Sequence, residues 1–279
     1  FVSSLMEEGE DLWIGTSSGL YIYDRSDDHF LYFDKTTKYG VFISCEVKKI
    51  VKTKNGLIWI ATLGQGIFIY DPAKDVLTQN SIRTFFAWDI CQGTDSLVYV
   101  SSMQEGLLCF DEEGTFLQNY PVSSELSIGN QRINCLHSIE HEIWCGVGTN
   151  SLGCYQEGSR ELKIYDTSAE SFSSILCLMD SPFGLWALSD PTVHAMMWDN
   201  EGTLWVMTNS GGINYMSKQS KRFSTYSLSL TGMEKADRGI GPFCEDREKN
   251  VWVGTRNGLW FFNSQTHSFY EYSLKIRCT

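Results

Sequence analysis

The sequence predicts an all-β protein assembled from repeated four-stranded antiparallel sheets. Three observations carry this. A short strand anchored on an aromatic residue recurs along the 279 residues. Each copy is bracketed by turn-forming residues and by further apolar stretches of strand length. No stretch shows the 3.6-residue apolar period, or the end caps, of a helix.

Self-similarity is read first, because a repeat decides the architecture. Leu12-Trp13-Ile14-Gly15-Thr16 recurs as Ile58-Trp59-Ile60-Ala61-Thr62, Leu204-Trp205-Val206-Met207-Thr208 and Val251-Trp252-Val253-Gly254-Thr255. Weaker copies are centred on Tyr99, Trp144 and Trp186. Successive anchors lie 46, 40, 45, 42, 19 and 47 residues apart. Upstream of the anchors, turns such as Lys54-Asn55-Gly56, Asn200-Glu201-Gly202 and Glu248-Lys249-Asn250 follow a short apolar run, the first strand of each unit.

Downstream, a Gly-containing turn opens a third strand, as in Gly19–Asp24, Gly66–Asp71 and Gly106–Asp111. A fourth strand begins at Phe30, Leu77, Phe116, Leu162, Phe223 and Phe269. In four units an aromatic follows three residues later: Phe33, Tyr165, Tyr226 and Tyr272. A sheet so rich in Trp, Tyr and Ile on both faces cannot stand alone in water. Stacking such sheets around an axis buries both faces, and closure removes the exposed ends. The expected fold is therefore a β-propeller of about seven blades, with residues 1–279 forming one domain.

The interval from Trp186 to Trp205 leaves no room for the last two strands of the fifth unit. Half a blade would leave unpaired edges. The spacing therefore favours an omitted stretch between Ser189 and His194 over a stunted blade.

Composition narrows the function. Lys and Arg number 22 against 34 Asp and Glu, a formal charge of −12, which repels phosphate backbones and argues against nucleic acid. No apolar run approaches the roughly 18 residues of a membrane helix, so direct membrane insertion by this segment is not expected. The nine cysteines form no C-x-x-C pair and no evident disulfide framework. Cys109 with Cys154, Cys135 with Cys177, and Cys91 with Cys244 fall at equivalent repeat positions, as small buried hydrophobes would.

The pattern apolar-x-x-Asp-x-x-Gly-x-Leu-Trp-Val-x-Thr-x-x-Gly-Gly-Ile, carried by Trp198 to Ile213, closely resembles the two-component regulator propeller repeat. Glu7–Asp24 and Cys244–Asn263 fit it too, while units three, four and five depart from it. The resemblance implies a periplasmic sensor segment of a hybrid histidine kinase from gut Bacteroidetes, one propeller of a longer two-propeller region with a β-sandwich. It implies an oligosaccharide ligand, a possible homodimer, no enzymatic activity in this segment and no cofactor or metal. A protein-binding scaffold, or a lyase similar to the streptogramin-cleaving propellers, stays open as an alternative.

Candidate site residues follow from where propeller loops collect. Fourth-to-first loops and second-to-third turns share one face, where sequence varies without disturbing the core. The 231–239 loop offers Glu234, Lys235, Asp237 and Arg238, and the turns offer Gln65, Gln104, Asn150, Asn209, Arg256 and Asn257. Amides and Arg present paired, directional hydrogen bonds suited to sugar hydroxyls and carboxylates. The anchor Trp residues read as packing between blades. Trp88, Trp198 and Trp260 break the repeat, yet core packing is favoured for them as well. His137 and His141 read as a solvated hairpin rather than a metal pair. The acidic pairs Glu7-Glu8, Asp27-Asp28 and Glu112-Glu113 read as solubility features of turns.

Overall fold

The computed structural model describes residues 1–80, 86–122, 132–148, 151–166, 175–181, 184–188, 193–208, 212–216, 223–226, 240–255, 258–266 and 268–272. Every regular element among them is a strand. The chain divides into two units, Phe1–Phe33 with Thr192–Thr279, and Asp34–Pro191.

In the first unit lie three four-stranded sheets. They are β1 (Val2–Glu8), β2 (Asp11–Thr16), β3 (Gly19–Asp24) and β4 (His29–Tyr32); β19 (Val193–Trp198), β20 (Leu204–Thr208), β21 (Gly212–Met216) and β22 (Phe223–Tyr226); and β23 (Ile240–Glu245), β24 (Val251–Thr255), β25 (Leu259–Asn263) and β26 (Ser268–Tyr272). The second unit holds three more. These are β5 (Glu46–Lys52), β6 (Ile58–Leu63), β7 (Gly66–Asp71) and β8 (Val76–Gln79); β9 (Ala87–Gln92), β10 (Val98–Ser102), β11 (Gly106–Phe110) and β12 (Phe116–Tyr120); and β13 (Ile133–Ile139), β14 (Glu142–Val147), β15 (Ser151–Gln156) and β16 (Leu162–Asp166). A two-stranded sheet of β17 (Cys177–Ser181) and β18 (Gly184–Leu188) completes it. All strands pair antiparallel with their sequence neighbours, so each sheet is a meander built from tight turns. The fifth sheet thus has the two strands the spacing allows, and residues 189–192, where an omission is expected, lie outside the described ones.

Side chains of the repeat explain its spelling. Asp199 accepts the main-chain N–H groups of Glu201 and Thr203, closing the first turn, and its other oxygen accepts Trp205 Nε1–H at 2.8 Å. Asp246 does the same for Glu248, Asn250 and Trp252 Nε1. The six-residue spacing from Asp to Trp is what lets one carboxylate cap the turn and seat the indole. In the second blade Thr53 stands in that place, and the buried Trp59 Nε1 has no partner. At the far end of the anchor strand, Thr16, Thr62 and Thr255 each donate a hydroxyl hydrogen bond to the carbonyl of Gly19, Gly66 or Gly258.

Four anchors close on the next sheet. Trp59 meets Phe110 at 5.6 Å and Tyr99 meets Tyr155 at 5.5 Å; in the other unit Trp205 meets Phe262 at 5.0 Å and Trp252 meets Tyr23 at 5.5 Å. These partners occupy one register position, opposite the residue that precedes the anchor of their own sheet. The fourth-strand aromatics stack on the anchor of their own sheet, as Phe33 does on Trp13 (5.2 Å) and Tyr272 on Trp252 (5.3 Å). Trp13, Trp59, Trp205 and Trp252 are buried, as expected. Trp144 is only partly so; the sheet it faces has two strands among the described residues. Trp260 is core; Trp88 and Trp198 are partly buried.

Eight described cysteines are free thiols. Burial pushes Cys109, Cys154 and Cys244 up to about 11, which makes them packing groups rather than nucleophiles.

Candidate functional site

In the second unit the loop before β5, the turns β6–β7 and β10–β11 and the start of β9 form one continuous surface. Gln65 ties its first two parts together. Its side-chain carbonyl accepts Ser44 N–H at 2.9 Å and its amide donates to the Phe42 carbonyl at 3.0 Å. Phe86 is bridged to Leu63 on one side and accepts Met103 N–H on the other. Within the loop, Thr37 accepts the N–H groups of Tyr39 and Val41 and fixes a tight turn.

This scaffold holds three aromatic rings in water. Tyr39 is 81% exposed, Phe42 46% and Phe86 38%. Their exposure departs from the burial expected of large apolar side chains, and its cause is local: the loop backbone satisfies its own hydrogen bonds and leaves the rings outside. Lys38 Nζ lies 5.0 Å from the Tyr39 ring centre. Gln104 is exposed at the tip of the β10–β11 turn, whose backbone is held by Ser102 Oγ; that hydroxyl also donates to Glu105. Flat rings flanked by amide and carboxylate groups suit recognition of a ligand with alternating apolar and hydroxyl faces.

Of the residues singled out in the sequence, the structure brings Gln65 and Gln104 to this surface. Gln65 spends both ends of its amide on the loop, so it positions Phe42 rather than meeting a ligand. Arg238, Asp237, Arg256, Asn257, Asn209, Asn150, Glu234 and Lys235 lie outside the described residues. Tyr39, Phe42 and Phe86 escaped the sequence reading because they fall between strands, where the repeat pattern is silent.

The turns β1–β2 and β3–β4 and their counterparts carry a different set of contacts. The main-chain N–H five residues before an anchor bonds to an acceptor on the next sheet: Lys54 to Gln92, Asn200 to Glu245, and Arg247 to Glu7. Gln92, Glu245 and Glu7 share one register position, opposite the residue preceding their own anchor. For Thr94 the acceptor is Glu157, reached at 2.6 Å by the N–H and at 2.5 Å by the hydroxyl. Burial alone would raise the Glu157 carboxyl, but the Thr94 hydroxyl and main chain and His141 outweigh it and hold it below its ordinary value.

One sequence reading is corrected here. Glu7 and Glu8 lie on β1, not in a turn, and Glu7 also pairs with Arg25 at 3.3 Å. His137 lies within β13 opposite Trp144, while His141 sits in the turn against Glu157 at 3.2 Å.

Four-stranded meanders whose anchor aromatics close on the neighbouring sheet define a β-propeller, with six four-stranded blades and a two-stranded fifth among the described residues. Residues 187–210, the segment in which Asp199 holds Trp205, match the model of the two component regulator propeller family. Comparison with curated proteins gives no match. Among solved structures the chain is similar to the extracellular domain of BT4673 from B. thetaiotaomicron, named as a one component or hybrid two component system. The identity is 18% and the TM-score 0.56, over 98% of this chain and 36% of that one. It is also similar to virginiamycin B lyase from Staphylococcus aureus, at 10% identity and a TM-score of 0.52, over 99% of this chain and 85% of that one. The computationally designed Ika8 protein, at 9% identity, gives a TM-score of 0.64 over 97% and 86%. The chain thus spans about a third of BT4673's extracellular domain. Among the described residues, no helix is long and apolar enough to cross a membrane.

Proposed function

We propose that this propeller is an extracytoplasmic ligand-sensing segment of a hybrid two-component system, and that its ligand is an oligosaccharide. The observation that carries the reading is the regulator propeller repeat on residues 187–210. The exposed rings of Tyr39, Phe42 and Phe86 support the ligand class, since sugar rings stack their C–H faces on aromatics. Arg238 and Arg256 belong to the same proposal through their places in loops of the repeat, as do Asp237, Asn257 and Asn209. Within the longer protein the segment would lie in the periplasm and pass ligand binding to a cytoplasmic kinase, beside a second propeller and a β-sandwich, with a homodimer as a further arrangement.

The test is calorimetric titration of the whole extracytoplasmic protein with a panel of oligosaccharides, repeated on Tyr39→Ala/Phe42→Ala and on Arg238→Ala/Arg256→Ala. Binding of at least one saccharide, weakened tenfold or more in a folded double variant, is expected. No saccharide binding across the panel would leave the protein-binding scaffold as the better reading.

A further inference from the structure

Among the described residues, three blades place an acceptor at the register position opposite the residue that precedes the anchor. Each takes a main-chain N–H from the blade before it. What differs is how the rest of that side chain is satisfied. In the third blade the Gln92 carbonyl accepts Lys54 N–H, and its amide donates to the Ser96 carbonyl at 3.0 Å and to Glu112 at 3.1 Å. In the first blade the charge of Glu7 is matched by Arg25 at 3.3 Å. In the seventh, Glu245 Oε2 accepts Asn200 N–H at 2.8 Å, while Oε1 is buried with no hydrogen-bond partner among the described residues.

Gln92 and Glu245 head turns of the same length. Val98 and Val251 pair with them across the hairpin, and two residues earlier Ser96 (φ +69°) and Lys249 (φ +66°) hold the same left-handed backbone. The carbonyl that meets the Gln92 amide thus has its counterpart in the Lys249 carbonyl. A carbonyl only accepts, so an ionised Glu245 has nothing to give it, whereas a protonated one carries a donor. Asp199 and Glu201 face Glu245 from the turn of the sixth blade, and the Lys249 ammonium, from its own turn, lies 3.2 Å from Glu201. Arg25, next to the seventh blade on its other side, is committed to Glu7 and Asp246.

We propose that Glu245 is a proton-operated latch between the sixth and seventh blades. On taking a proton from solvent, its Oε1–H would bond the Lys249 carbonyl as the Gln92 amide bonds that of Ser96, and Oε2 would keep the Asn200 N–H. On losing it, the latch is left with a buried oxygen that nothing satisfies, which is costly. Its carboxyl agrees with this: burial raises it above the ordinary value of 4.5, the Asn200 N–H draws it back, and Asp199 adds to the rise. A group raised on folding contributes stability that is complete below its unfolded value and lost as pH rises through the folded one. That is the reverse of Glu157, so acid tightens this junction while it loosens the one between the third and fourth blades.

The test is thermal unfolding of the protein and of Glu245→Gln, from about pH 8 down to about pH 4. The amide supplies the donor at every pH. The variant should therefore melt several degrees higher at neutral pH, and the gap should close as the parent takes up its proton. Glu113→Gln removes the same charge from an exposed turn and should leave the melting temperature unchanged, which separates the latch from a gain due to lower net charge. In protein labelled with carbon-13 at glutamate, the Glu245 carboxyl carbon should titrate above 4.5. The proposal is overturned by a folded Glu245→Gln that melts no higher than the parent at neutral pH, or by an equal gain in Glu113→Gln. A Glu245 carboxyl that titrates at or below the ordinary value overturns it as well.

Discussion

Single side chains in this protein do two jobs at once, and their substitutions divide accordingly. Asp246 caps a turn and seats Trp252, with Arg25 3.5 Å away and over the indole face. Thr53 offers Trp59 no such acceptor, so the Trp59 N–H is buried without a partner. Thr53→Asp should restore the arrangement and stabilise the protein by about 1 kcal/mol, the net worth of a typical hydrogen bond; a denaturant midpoint that falls instead would contradict it. Glu157→Gln should cost about 2 kcal/mol at neutral pH, because charge-assisted bonds to Thr94 are weakened. The folded carboxyl lies below its ordinary value of 4.5. Its contribution is therefore complete above that value and is lost as pH falls through the folded one. Melting curves of the two proteins should converge as pH falls below the ordinary carboxylate range, and a difference that persists in strong acid would assign the loss to packing.

At the scale of strands and turns, glycine marks where the meander allows no alternative. Gly106 has φ +83°, and a Cβ there would run into the Tyr120 carbonyl across the sheet; Gly56 has φ +88° with open space around it. Gly106→Ala should cost more than about 2 kcal/mol and Gly56→Ala nearer 1, the strain of the left-handed backbone alone. Equal losses in thermal unfolding would show that steric contact is not the deciding factor. The strands themselves were legible in the sequence because anchor, turn and third-strand residues recur at fixed offsets. The acceptors Gln92, Glu245 and Glu7 were not, since a polar residue at the end of a strand reads as surface until the adjoining sheet is in place. Tyr39, Phe42 and Phe86 were missed for a related reason: loop rings carry no period, and only the backbone bonds of Gln65 and Thr37 reveal that they are held outward.

For the molecule as a whole, the excess of 34 acidic over 22 basic residues dominates behaviour in solution. Solubility should pass through a minimum near the isoelectric point of about 4.9, where self-repulsion vanishes; light scattering across pH 4 to 7 checks this, and a monotonic curve would count against it. The bond from the main-chain N–H before an anchor to a Glu or Gln of the following blade, made at four junctions, has a longer consequence. Its donor half is backbone, which every amino acid except proline supplies, so the preceding blade owes the joint almost nothing in sequence. A gene that copies, loses or exchanges one blade therefore needs only one Glu or Gln acceptor on the incoming blade to keep this bond. Such a joint lets the blades it links drift apart in sequence while the contact between them stays the same.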